Sequence, residues 1–251
     1  MPEFLFTWED PTTLTAIRRI TRYEPDWDWY PHHEYSKTQP WNIDQSLYRF
    51  YTVAVFDAVT HRVVRELPGD LYPTTWSNTD PDLLYSFRED GTIQTFRVST
   101  GERQVLGSID GYDLVKLGPG EGNIDIHDRM VAFVGKSGTD LDVIVWDLQA
   151  RAEVTRRRFA GAWGDGADMP EHVDWVSVSQ SGRYVVMSWN TGPPWDVQPF
   201  DGHYGVEAYD PADMTLVRRL VRYGDHGDFG FTPAGDEVYV QFWGEDGTIN
   251  A

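Results

Sequence analysis

The chain has 251 residues, 40% of them hydrophobic and 14% aromatic, which supplies a real core for one large domain or two small ones and excludes a disordered chain. Its 21 Lys and Arg stand against 40 Asp and Glu, a formal net charge of -19 that opposes a phosphate backbone or an anionic membrane surface and argues against nucleic acid as a partner. There is no cysteine, so disulfides, thiolate metal sites and a cysteine nucleophile are excluded together, and no apolar run approaches the roughly 20 residues of a membrane span.

The opening MPEFLFTWED is too acidic and polar for a signal peptide. Two expectations follow: a cytoplasmic protein, or a chain starting downstream of a leader, which favours a location outside the cytoplasm. Segment 4–20, FLFTWEDPTTLTAIRRI, reads as an alternating strand ending in an aromatic residue and Asp, then a small turn and a basic second strand. YEPDWDWYP (23–31) follows, with Trp27, Trp29 and Tyr30, and then YPHHEYSKTQPWN (30–42), which crowds His32, His33 and Lys37 ahead of a strand. WNIDQSLYRFY (41–51) is a different unit, a strand, a tight polar turn and a strand.

These two units then alternate. The hairpin recurs at 52–67, 92–106, 142–159 and 205–220, and the strand-turn-strand unit at 76–87, 124–134, 176–187 and 231–242. Aligned on Asp10, Asp57, Arg97, Asp147 and Asp210, the hairpins lie 47, 40, 50 and 63 residues apart, the spacing of four-stranded blades with variable loops. The expected fold is all-β, a single β-propeller domain over 1–251 with about five blades of four antiparallel strands. EDGTI at 245–249 repeats EDGTI at 89–93, where it leads into a hairpin. The chain is therefore expected to be part of a larger propeller, incomplete at its C-terminus; a closed five-bladed ring is the alternative.

WNIDQSLYRF and VSVSQSGRYVVM resemble the repeats of TolB-like and WD40-like β-propellers, a resemblance that covers most of the chain and implies fold rather than function. HHEYSKTQPWNIDQSLYRF and GHYGVEAYD, in that context, resemble the propellers of bacterial polysaccharide lyases of the oligogalacturonate lyase and ulvan lyase type. No catalytic residue or metal ligand of those families is carried over to this sequence.

In a propeller the innermost strands line a central channel, and the segments ahead of the inner units, HHEYSKTQP, GDLYPTT, GPGEGNID, PEHVDW and YGDHGDFG, are expected to converge on one mouth of it. One of His32 and His33 can face the channel, and Lys37 can offset a carboxylate or an enolate-like charge; the alternative is a packed and a solvated histidine. His172 with Asp174, and His226 with Asp228, form His-x-Asp pairs whose members share a face in a regular strand, so each can orient a histidine or offer two groups to a divalent cation such as zinc, calcium or manganese. Equally, the aspartates can bond neighbouring backbone while the histidines fill space. The loop TGPPWDVQPFDGH brings Trp195, Phe200, His203 and Tyr204 forward as a sugar platform or as a cap on the core. In LGPGEGNID (117–125) the glycines allow close backbone approach, leaving Glu121 and Asn123 at the mouth.

The resemblance implies a lyase that cleaves uronate-containing polysaccharide by β-elimination. His33, Lys37, His172, Tyr204 and His226 are the candidate chemical groups, and Trp29, Tyr30, Glu121, Asn123, Trp195 and His203 the candidate substrate contacts. Residue chemistry alone fits equally a non-catalytic propeller that binds a sugar, peptide or protein. A hydrolase using paired carboxylates, from Glu121, Asp174 and Asp228, is a third option.

Overall fold

The computed structural model describes residues 6–18, 38–50, 54–118, 122–190, 198–224 and 226–241. Trp29, Tyr30, His33, Lys37, Glu121 and Trp195 lie outside the described residues, as does the second EDGTI. Strands β1 (Thr7–Glu9) and β2 (Ala16–Arg18) form a hairpin of their own. The first blade joins β3 (Leu47–Phe50), β4 (Ala54–Asp57) and β5 (Val63–Glu66), with Trp41 bridged to Tyr48 where an innermost strand would run. The second holds β6 (Thr74–Trp76), β7 (Leu83–Phe87), β8 (Thr92–Arg97) and β9 (Arg103–Ser108) in that order. The third holds β10 (Leu114–Leu117), β11 (Met130–Ser137), β12 (Asp140–Asp147) and β13 (Ala152–Phe159). The fourth holds β14 (Val173–Val178), β15 (Val185–Trp189), β16 (Gly205–Tyr209) and β17 (Leu216–Val221), and β18 (Gly227–Phe231) pairs with β19 (Glu237–Gln241) as a further inner pair.

Every named pairing is antiparallel, and the architecture is a β-propeller of four-stranded blades. Among the described residues β1–β2 and β18–β19 are separate sheets. The repeated hairpins are the outer halves of blades, and their recurring Asp has a physical cause. Oδ1 of Asp10, Asp57 and Asp147 each accepts two backbone N–H groups from its own turn, an Asx arrangement that closes the connection without a glycine. The Thr60 N–H leads the bonds that hold the Asp57 carboxyl below its ordinary value.

The core lies between blades. Trp163, Val176, Met187 and Trp189 pack with Val143 and Val145 between the third and fourth, and Phe87, Ile93, Phe133 and Ile144 between the second and third. Both faces of the middle strands are therefore covered, and β16 is buried at every residue. Gly118, at φ 43, sits so close to the next blade that a Cβ there would lie 1.9 Å from the Val176 carbonyl oxygen.

The innermost strands differ from the sequence expectation in extent. GDLYPTT, PEHVDW and YGDHGDFG were expected as loops ahead of the inner units; they contain the beginnings of β6, β14 and β18. β6 and β18 are short and place Thr75 and Asp228 on the channel cavity, so apolar alternation is weak in them.

The turns between the first and second strands of each blade form a belt around the axis. Asn42, Asp125, Ser179 and Thr232 occupy equivalent positions, and each side-chain oxygen accepts a backbone N–H across its turn, from Leu47, Met130, Tyr184 and Asp236 at 2.9, 3.0, 3.2 and 3.1 Å. The left-handed position of each turn is taken by Gln45, Asp128, Gly182 and Gly235. The turns are then tied to one another. Asn42 Nδ2 donates to the Pro81 carbonyl, Asn78 N and Thr79 Oγ1 donate to Asp128 at 2.8 and 2.6 Å, Ile126 N donates to the Gln180 carbonyl, and Ser181 N donates to Glu237 at 2.8 Å.

Asp128→Asn keeps the size and the left-handed tolerance of the residue but turns one acceptor toward a donor. The expected loss is about 2 kcal/mol, the cost of leaving buried donors unmatched, measured as a shift of the urea midpoint at constant slope. A loss below about 0.5 kcal/mol would mean that this link of the belt is dispensable.

Candidate functional site

The innermost strands all run the same way, from a leading end to the end where they pass into the belt of turns. At the turn end they enclose a cavity of about 540 Å³ lined from five sheets or their connections. Gln39, Trp41 and Asn42 come from the first blade, Thr75, Trp76 and Asn78 from the second, Asn123 and Ile126 from the third, Val178 and Gln180 from the fourth, and Asp228 and Phe229 from β18. Its walls are thus aromatic and aliphatic side chains, amides and hydroxyls, with a single carboxylate among the described residues.

The polar groups differ in how far the fold has already committed them. Asn42 spends its side chain on the turn and on Pro81. Asn78 Nδ2 donates to the Asp125 carbonyl, and Gln180 Nε2 to the Phe229 carbonyl, at 3.0 and 2.9 Å. Among the described residues the side chains of Asn123 and Thr75 make no hydrogen bond, so their donors and acceptors face the cavity uncommitted. Trp76 is fixed by its indole N–H donating to the Pro40 carbonyl at 2.9 Å, whereas Trp41 is 38% exposed and rests against Tyr48 with ring centroids 5.0 Å apart.

Of the residues singled out from the sequence, Asn123 and Asp228 line this cavity; His172, His203, Tyr204 and His226 are not in its lining. The pairing of Val173 and Gly205 with Trp189 puts His172, His203 and Tyr204 together at the leading end of the fourth blade. There the His172 ring stacks on Phe200 at 4.4 Å and the His203 ring on Trp189 at 4.7 Å. The Tyr204 ring lies 3.4 Å beneath the Arg219 guanidinium. His172 and Asp174 do not have the simple two-residue relation expected of them, because the β14–β15 register shifts between Val173 and Trp175. Among the described residues no three His, Asp or Glu side chains gather as a metal site, so those present do not by themselves fit a cation.

Glu207 was not singled out from the sequence, where its place in GVEAYD suggests an ordinary solvent-facing residue of a half-buried strand. It is fully buried. Its Oε2 lies 2.7 Å from His203 Nδ1 and accepts the Tyr209 hydroxyl at 2.6 Å, and its Oε1 accepts from Arg219 at 2.6 Å. Burial opposes its ionisation, but the bonds from His203, Tyr209 and Arg219 outweigh it and hold the carboxyl below its ordinary 4.5. Burial, reinforced by Glu207, pushes the Tyr209 hydroxyl far up. The cluster orients His203 firmly against Trp189 and Phe159, which is a device for holding the leading end of the blade together.

The sign of the Glu207 effect is fixed by that lowered value. Its contribution to stability is complete above the unfolded carboxyl value and is lost as pH falls through the folded one. Between about pH 5 and pH 3 the wild type is expected to lose more stability than Glu207→Gln does; parallel slopes in urea titrations would remove Glu207 from the acid response.

No family model matches the chain, and no curated protein matches it. Its fold is similar to that of oligogalacturonate lyase in complex with manganese, with a TM-score of 0.64 and 14% identity over 96% of this chain and 66% of that one. It is similar to oligogalacturonate lyase from Vibrio parahaemolyticus, at 0.62 and 13% over 95% of this chain and 65% of that one. A third likeness is to the Cps50 (Swd1) β-propeller domain of Myceliophteria thermophila, at 0.52 and 9% over 93% and 72%. The chain spans a little under two thirds of the length of the two lyases. At these identities the likeness is one of fold.

Proposed function

We propose that the protein is a carbohydrate-active β-propeller that holds an oligosaccharide in the turn end of its central channel. The observation that supports this reading is the lining, in which the rings of Trp41 and Phe229 stand beside the uncommitted amide of Asn123 and hydroxyl of Thr75. A sugar has the matching chemistry, with apolar ring faces and a hydroxylated edge. The finer reading is β-elimination on a uronate-containing polysaccharide, supported by the likeness of fold to two oligogalacturonate lyases.

That reaction removes the C5 proton of a uronate and expels the oxygen at C4, leaving an unsaturated uronide. It requires a positive group against the carboxylate, a base for the proton and an acid for the leaving oxygen. The described lining offers amides, hydroxyls and Asp228 but no basic side chain. The reading therefore assigns the carboxylate partner to Lys37 and proton transfer to His33 or His226, which lie two to six residues in sequence from Gln39 or Asp228 of the lining. His172, His203 and Tyr204, gathered at the leading end, are assigned there to support rather than to proton transfer.

The test combines binding with turnover. Trp41→Ala and Asn123→Ala are each expected to weaken oligosaccharide binding about tenfold or more, since each removes one contact worth about 1.5 kcal/mol, while the melting temperature stays near wild type. Ultraviolet absorbance of unsaturated product on a panel of uronic polysaccharides, abolished by Lys37→Ala, is the expected signature of the lyase. Binding without absorbance growth on any substrate would leave a carbohydrate-binding propeller and remove the lyase reading.

A further inference from the structure

We infer that a groove on the rim of the propeller, between the second and third blades, is a docking notch for an arginine side chain of a basic partner protein. The groove shares no lining residue with the channel cavity and works independently of what the channel holds.

The neighbouring junctions show what fills this place. Each outer turn begins with the same backbone bond, from Ala58 N to the Ser46 carbonyl, from Val98 N to Asp82 and from Leu148 N to Arg129. Val98 and Ser99 of the second blade therefore correspond to Leu148 and Gln149 of the third. Between the first and second blades, Arg65 forks onto the Val98 and Ser99 carbonyls at 2.7 Å each. Between the third and fourth, Arg157 donates to the Met214 carbonyl at 2.7 Å and lies over the Phe159 ring at 4.7 Å. Between the second and third, the residue opposite Thr95, as Arg65 is opposite Val55, is Gln104. Among the described residues no donor reaches the Leu148 or Gln149 carbonyl.

The place is open instead, as a groove of about 370 Å³ lined by Tyr85, Thr95 and Gln104 of the second blade and Leu148 and Gln149 of the third. A guanidinium suits it better than an ammonium. Its planar fork can reach two successive carbonyls, as Arg65 does, while its methylenes and flat face lie on the buried Tyr85 and Leu148. Glu102, also in the lining, adds a carboxylate, and the net charge of -19 draws a basic partner from a distance. Two arginines line the groove as well. Arg97 is held by Asp80 and Asp82 at 3.1 and 3.3 Å, whereas Arg151 is exposed in the outer turn and is a like charge beside which the incoming arginine must sit. The attraction therefore comes from the two carbonyls and the shape of the groove more than from local charge.

The test is titration of the full chain, labelled with nitrogen-15, with two blocked peptides of equal length and charge, one holding a single arginine between glycines and the other a single lysine. Binding is read from the backbone amide signals of Gln104, Gln149 and Ala150. The arginine peptide is expected to shift these signals and to bind about fivefold more tightly than the lysine peptide. Gln104→Arg, which supplies the clasp from the chain itself, is expected to raise the urea midpoint and to cut the arginine preference below about twofold. Gln104→Lys, which adds the same charge without the fork, is expected to weaken both peptides and keep the preference. Equal binding of the two peptides, shifts spread over the acidic surface in place of these signals, or a preference that survives in Gln104→Arg would each overturn the notch. So would the absence of any shift at tens of millimolar peptide.

Discussion

The belt of turn-to-turn hydrogen bonds is the constraint on which the channel depends. A blade is a small antiparallel sheet that could slide or tilt against its neighbour, because the core packed between blades is mostly apolar and its contacts are non-directional. The links from Asn42 to Pro81, from Asn78 and Thr79 to Asp128, from Ile126 to Gln180 and from Ser181 to Glu237 are directional and fix each blade relative to the next. Because they sit at the turn end, they also fix the positions of Trp41, Asn78, Ile126 and Gln180, which line the cavity. The same turns that close the strands therefore shape the candidate site, so rigidity and recognition come from one set of residues.

The turn end of the channel and the leading end of the fourth blade are built on different chemistry. At the turn end, polar side chains such as Asn123 remain uncommitted toward the cavity. At the leading end, His203, Glu207, Tyr209 and Arg219 satisfy one another within an aromatic shell that includes Trp189 and Phe159. A fully bonded buried network of this kind holds one arrangement of strands, since any alternative leaves Glu207 with unpaired charge. Its groups are spent on structure, whereas those around the cavity are available to a ligand.

The strongly acidic balance of the chain hides a local pattern in which the outer strands carry arginine. Arg65 donates to the Val98 and Ser99 carbonyls at 2.7 Å each, and Arg157 to the Met214 carbonyl at 2.7 Å, so each clasps the outer turn of the following blade. Arg158 pairs with the buried Asp142; burial raises the pKa of that carboxyl, but the bonds from Arg158 and Tyr112 outweigh it and the net shift is downward. Charged side chains along the outermost strands also discourage edge-to-edge pairing between molecules, a standing hazard of exposed sheet edges. The basic second strand of each hairpin is thus a consequence of its place at the rim.

The sequence by itself determined the repeat, and with it the propeller. Alternation on a period of two and the short polar turns are local signals, and Asp57 and Asp147 reveal their hairpins because an Asx turn needs only the residue and its next three neighbours. The innermost strands were not legible in this way, since Thr74–Trp76 and Gly227–Phe231 are brief and send only part of their side chains, such as Trp76 and Phe229, into the core, so they lack the sustained alternation that announces a strand. The bulge that separates His172 from Asp174 in register, and the burial of Glu207, both arise from pairing with other strands. Tertiary structure alone decided that Asn123 and Asp228 line one cavity with Trp41 while His172 and His203 lie at the other end of their blade. Which polar residues meet depends on how the blades are arranged around the axis, and that arrangement is set by contacts between segments some 40 to 60 residues apart.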